Sequence, residues 1–157
     1  MDTTHLSTYV IEDNEITYTR LFNAPIHLVW EAWSKVELRE KWFGPNGFTI
    51  TTFQHQFSQG GIWKFTMHGP DGTDFPNKIE FVKINEPTLI MYKHVDDEDT
   101  EAISFQVEVK LKEMNDSTEL TMRHIFRSAE ELRRVAEEYG AIEGGQQTLA
   151  RLADLIE

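Results

Sequence analysis

The chain of 157 residues contains no cysteine, which excludes a disulfide framework, a thiolate nucleophile and cysteine metal ligands together. Basic side chains are scarce: 15 Lys and Arg stand against 27 Asp and Glu, for a formal net charge of -12. Such a chain repels phosphate backbones and anionic bilayers, so neither nucleic acid nor a membrane surface is an expected partner. No run of about 18 apolar residues occurs, so no membrane span is expected. The opening Met1-Asp2-Thr3-Thr4-His5 has no basic region followed by an apolar run, so no signal peptide is expected and a cytoplasmic location is. Also missing are His-Glu-x-x-His, Gly-x-Ser-x-Gly, a phosphate-cradling loop and a dinucleotide fingerprint. No cofactor, metal or catalytic residue is therefore assigned.

What is present is alternation. Residues 1–14 are polar and irregular and read as a flexible N-terminal arm, ahead of a single domain over 15–157. Ile16, Tyr18, Arg20 and Phe22 share one side of a strand. After Pro25, the residues Ile26, Val29, Trp30 and Trp33 recur at helical spacing, with the two tryptophans read as core. Ser34 and Glu37 match a capping box for a second short helix, which Gly44-Pro45 ends. Phe53, His55 and Phe57 share a face, as do Trp63, Phe65 and Met67. Strand character returns at 78–84 and 89–95, followed by an acidic hairpin tip at 96–101. Ile103, Phe105, Val107, Val109 and Leu111 then alternate with polar residues, and Leu120, Met122, His124 and Phe126 form the inner set of the last strand. From Ser128, a second capping-box match, apolar residues run at three- or four-residue steps to Ile156 as one long helix. The order is strand, two short helices, six strands and a long helix: an α+β antiparallel sheet whose face only that last helix is long enough to cover.

That order resembles the helix-grip superfamily, also called START-like or SRPBCC. Within it, the chain is similar to bacterial homologues of the activator of the heat-shock protein 90 ATPase. Arg20, Phe22, Ala24-Pro25, Val29-Trp30, Ala32-Trp33, Leu38, Trp42 and Gly44-Pro45 fit the first motif of that family. Gly60-Gly61, Trp63, Phe65, Met67 and Pro70-Asp71-Gly72 fit the second, and Leu149 and Leu152 the C-terminal helix. The resemblance covers roughly residues 15–157 and implies a β-α-α-β-β-β-β-β-β-α chain, with a curved sheet wrapped on the last helix around a cavity for apolar ligands. One position departs from it: many members carry tryptophan where this chain has Gly145.

The candidate cavity residues are Phe53, His55, Trp63, Phe65, Met67, Phe105, Val107, Met122, His124 and Gly145. The aromatic and sulfur side chains would form apolar walls. His55 and His124 lie in phase with apolar neighbours and would serve as polar anchors, or stay as satisfied core histidines. Gly140, Gly144 and Gly145 are costly inside a helix, and the expected consequence is a bend near Gly144 at the cavity mouth. The leading function is binding of an apolar small molecule. A chaperone-interacting module is the alternative, and a cyclase- or hydrolase-type enzyme using His55, His124 or Tyr92 is a third, less favoured reading. The oligomeric state is not legible, although exposed edge strands can pair.

Overall fold

The computed structural model describes residues 7–95 and 105–157. The acidic tip at 96–101 and the start of the strand at Ile103 therefore lie outside the described residues. Eight strands form one antiparallel sheet in the order β1-β2-β8-β7-β6-β5-β4-β3. They are β1 (Thr8–Glu12), β2 (Glu15–Phe22), β3 (Thr49–His55), β4 (Ile62–His68), β5 (Asp74–Asn85), β6 (Leu89–His94), β7 (Gln106–Met114) and β8 (Ser117–Ile125). Between β2 and β3 come α1 (Ile26–Ser34) and α2 (Val36–Arg39). After β8 come α3 (Ala129–Tyr139) and α4 (Ala141–Ile156). The expected α+β architecture is present, with three departures in its elements.

First, the segment expected to be a loose arm contains β1, which pairs along its whole length with β2. All five residues of β1 are exposed, so the strand is held by its backbone ladder rather than by a buried side. Second, the expected long helix is two helices. Gly140 has φ +60 and ψ 39, a left-handed conformation that ends α3 and begins α4. The break therefore sits at Gly140 and not at Gly144, which is inside α4. Third, Ser34 does not cap α2: it is the last residue of α1, and the N-cap Lys35 makes no side-chain capping bond. The second capping match does form, with the Glu131 N–H donating to Ser128 Oγ at 3.0 Å.

The core lies between the concave face of the sheet and the helices. Val29, Trp30, Ala32 and Trp33 of α1 and Leu149, Leu152 and Ala153 of α4 are buried against Ile16, Tyr18, Val109 and Leu120 of the sheet. Each large side chain so enclosed contributes about 1.5–3 kcal/mol relative to exposure. Strand β5 contains Pro76, which interior strands exclude; over 74–78 its registered partner is β4 alone, so the proline falls on an overhanging stretch.

The loop between α2 and β3 is fixed from the other end of the chain. The Arg151 guanidinium, on α4, donates to the carbonyls of Gly44 (2.9 Å), Pro45 (2.8 Å), Lys41 (3.1 Å) and Phe48 (3.2 Å). A planar cation with its donors in a fork suits this task, because it satisfies carbonyls that no secondary structure pairs. The loop is thereby locked with Phe43 and Phe48 on either side of Gly44-Pro45.

Candidate functional site

A cavity of about 410 Å³ opens between the sheet and the two C-terminal helices. Its sheet wall comprises Met67, Phe75 to Lys78, Tyr92, His94, Phe105, Met122 and His124. Its roof is Val135, Tyr139, Gly140, Ala141, Gly144, Gly145 and Thr148, and the pinned loop supplies Phe43, Gly44, Pro45 and Phe48. Aromatic rings, two methionines and two prolines dominate this surface. A volume of this size holds a small organic molecule.

Rings run across the sheet wall. Tyr92 and His94 have centroids 6.2 Å apart, and His94 stacks on Phe105 at 4.3 Å. Phe105 lies 5.4 Å from His124, which meets Tyr18 edge-on at 5.4 Å. Burial pushes His94 down to about 3 from its ordinary 6.5, aided by the neighbouring His124. Burial alone pushes His124 down to about 4. Both imidazoles are therefore neutral at neutral pH, each with one donor and one acceptor nitrogen. Among the described residues, His124 makes ring contacts only, so its nitrogens have no hydrogen-bond partner within that set.

A second polar cluster lies deeper. Arg39, only 2% exposed, places its guanidinium 4.4 Å from the Trp63 ring centroid and 5.4 Å from that of Phe81. Its Nη2 donates to His55 Nε2 at 2.8 Å, which sets the imidazole proton on Nδ1. Burial, then the Arg39 charge, holds His55 down at about 4. Burial lowers Arg39 itself to about 10, so it remains a cation. No carboxylate among the described residues pairs with it, and its Nε has no partner there. The adjoining void is about 10 Å³, room for about one water. Tyr92 lines both this void and the main cavity.

Of the residues expected to form the cavity, the structure brings Met67, Phe105, Met122, His124 and Gly145 together there. Trp63 and Phe65 are instead core, stacked on each other at 3.7 Å, and Val107 is buried outside the lining. His55 faces inward but belongs to the Arg39 cluster. Phe53 is on the wrong side: it is 65% exposed. The register shifts between Thr52 and Gln54, so Thr52 and His55 both face the inner residues Phe65 and Trp63, and Phe53 is the extra residue turned out to solvent. His68 is not part of either histidine cluster. His68 is on the convex face between Thr51 Oγ1 (2.8 Å) and Asp74 Oδ1 (2.7 Å), where it ties three adjacent strands.

Residues 23–157 match the family model described as Activator of Hsp90 ATPase homolog 1-like protein. The chain belongs to that family. Solved structures repeat the whole architecture. A protein of Arthrobacter aurescens superposes with a TM-score of 0.82 at 25% identity, covering 94% of this chain and 91% of that one. One from Mycobacterium smegmatis gives 0.82 at 23% identity, with 96% and 95% covered. One from Nitrosomonas europaea gives 0.80 at 22%, with 99% and 96% covered. At these identities the likeness shows the fold. No curated protein matches the chain.

At Gly145 helix α4 passes close to Tyr18 of β2. A Cβ here would lie 2.4 Å from Tyr18 Cζ and 2.5 Å from its hydroxyl oxygen. Tyr18 is fully buried and its hydroxyl donates to the Ala141 carbonyl at 3.1 Å. A side chain at position 145 would therefore collide with the Tyr18 ring.

Sequence reasoning missed His94, Asn77, Phe75, Phe43, Phe48 and Tyr139 as lining residues. His94 had a usable signal, since Ile90, Tyr92 and His94 alternate in phase and the first two are buried. The others depend on the pinned loop, the overhang of β5 and the break at Gly140, which leave no periodicity to read. Among the described residues no group of three or more acidic or histidine side chains is placed to hold a metal ion.

Proposed function

We propose that this family member binds an apolar, uncharged small molecule in the 410 Å³ cavity, with one hydrogen-bonding group of the ligand directed at the His94–His124 wall. The observation that carries this reading is a mainly apolar cavity whose sheet wall presents the imidazoles of His94 and His124. A neutral imidazole suits a hydroxyl or carbonyl. It offers a carboxylate no counter-charge of its own, although Lys78 also lines the cavity, and a buried unpaired charge is costly. Aromatic and methionine walls suit a ring or a branched hydrocarbon. Membership of the family and its fold support a binding module in general terms.

The test is native mass spectrometry of the protein purified from an expressing cell, before and after denaturation. A co-purifying mass that denaturation releases is the expected result, and its formula gives the ligand class. Titration with Nile red, a neutral dye bearing one carbonyl, supplies the second arm. Gly144→Trp should abolish dye binding, because position 144 has room and its side chain would enter the cavity. Full dye affinity in that variant, together with an empty native protein, would sink the reading.

The family description favours a second reading, contact with a heat-shock protein 90 chaperone, to which the net charge of -12 would contribute salt-sensitive attraction toward a basic surface. An unchanged chaperone ATPase rate in the presence of this protein would end it.

A further inference from the structure

The sheet has two edges, β1 and β3. The β3 edge is interrupted by the register shift at Thr52/Gln54, which disrupts the row of groups a neighbouring strand would pair with. The β1 edge has no such protection. From Thr8 to Glu12 there is no proline, no lysine and no bulge, and its register with β2 is unbroken. Its residues Tyr9, Val10 and Ile11 are 45%, 59% and 44% exposed.

The hairpin geometry fixes which backbone groups this edge offers. Glu12 and Glu15 flank the two-residue turn Asp13-Asn14 and so form the hydrogen-bonded closing pair. The pairs Val10 with Thr17 and Thr8 with Thr19 then also exchange ladder bonds. Tyr9 and Ile11 therefore turn their N–H and C=O groups away from β2, to the open side.

We propose that β1 is a dimerisation edge, pairing antiparallel with β1 of a second copy of this chain about a two-fold axis at Val10. In that register Tyr9 of each copy meets Ile11 of the other, Val10 meets Val10, and Glu12 meets Thr8. The residues with outward backbone groups are the ones brought opposite each other, so the same register forms the hydrogen bonds and joins the exposed apolar side chains in cross-strand pairs. No like charges are opposed along the strand. Moving the axis to Ile11 keeps the backbone alternation but sets Glu12 against Val10 and shortens the overlap. Backbone, side chains and charge are thus all satisfied under one two-fold, which identifies a second copy as the occupant. Each copy carries a net charge of -12, so the association is weak at low ionic strength and tightens with salt. No residue of β1 lines the cavity, so dimerisation and ligand binding are separable.

Sedimentation velocity of the full chain over a wide concentration range, at low and high salt, tests this. A reversible monomer–dimer equilibrium that shifts toward dimer with concentration and with salt is expected. Ile11→Pro removes an outward amide without touching the ladder to β2, and Val10→Glu brings two anions together at the axis, diagonal to Glu12 of the other copy. Each should weaken dimerisation by at least about tenfold while circular dichroism and Nile red binding stay as in the parent. If proline disturbs the hairpin, Val10→Glu decides alone, since the Val10 side chain is exposed. A parent that stays monomeric throughout overturns the proposal, as does a dimer that persists in a folded Val10→Glu protein.

Discussion

The ring of Tyr18 occupies the space that a side chain at position 145 would need: a Cβ there would fall 2.4 Å from Tyr18 Cζ. Gly144, one residue earlier on the same helix, faces only Pro45 Cγ at 3.4 Å. Two adjacent glycines therefore answer the same substitution with opposite signs. Gly144→Ala should stabilise the fold by about 0.5–1 kcal/mol, through the lower backbone entropy of alanine in a helix. Gly145→Ala should destabilise it by about 1–3 kcal/mol, because a fully buried ring must shift. Urea denaturation of the two variants checks this, and equal effects would refute the close approach.

Acid stability follows from three partly buried imidazoles. His55 is depressed to about 4, His94 to about 3 and His124 to about 4, against an ordinary 6.5. Burial is the leading cause for each. As pH falls from 6.5, the unfolded chain takes up these protons and the folded chain does not, so unfolding is progressively favoured. Stability should be full above about pH 6.5 and fall steadily toward pH 4 and below. Thermal midpoints across that window provide the check; a flat profile from pH 7 to 4 would contradict the burial of these rings.

His124→Phe separates anchor from filler. The ring contacts with Tyr18 and Phe105 survive, but the hydrogen-bonding nitrogens are lost. Nile red should bind about tenfold more weakly, the worth of one hydrogen bond, while the acid sensitivity of the fold declines. Unchanged dye affinity would reduce His124 to packing.

Arg39→Met should leave the fold intact or slightly stabilised, because a linear apolar side chain replaces a buried cation that no carboxylate among the described residues pairs with. In the same variant the His55 pKa should rise from about 4 yet remain under 6.5, since burial, the larger cause, stays. Proton NMR titration of the imidazole reads this directly, and a pKa that does not move would remove Arg39 from the account.

The sheet was legible wherever one face is wet and the other dry. Val107, Val109 and Leu111 alternate with polar neighbours and proved buried, as did Leu120 and Met122. Legibility failed where that rule has no purchase. β1 is exposed along its whole length, so it carries no dry face to detect. Phe53 obeys the alternation in sequence but sits at a register shift, and one extra residue reverses every facing beyond it. Arg39 lies on a helix of four residues, too short to show a period, and its side-chain type is one that ordinarily stays in water. The cavity was half legible for a related reason. Met67, Met122 and His124 come from regular strands and Phe105 directly precedes β7, whereas Phe43 and Phe48 depend on a guanidinium more than a hundred residues away in the chain.

The left-handed residue at Gly140 also sets how the binding space can be reached. Its roof is two rods joined at one residue, and they are unequally anchored. Helix α4 buries Leu149, Leu152 and Ala153 and is tied through Ala141 to Tyr18, whereas α3 buries only Leu132 and Val135. Lifting α3 alone exposes two large side chains, at a cost of about 3–6 kcal/mol, against about 5–15 kcal/mol for unfolding a domain. Amides of α3 should therefore exchange with solvent through a local opening while those of α4 wait for the whole molecule, and a guest can enter and leave without the sheet coming apart.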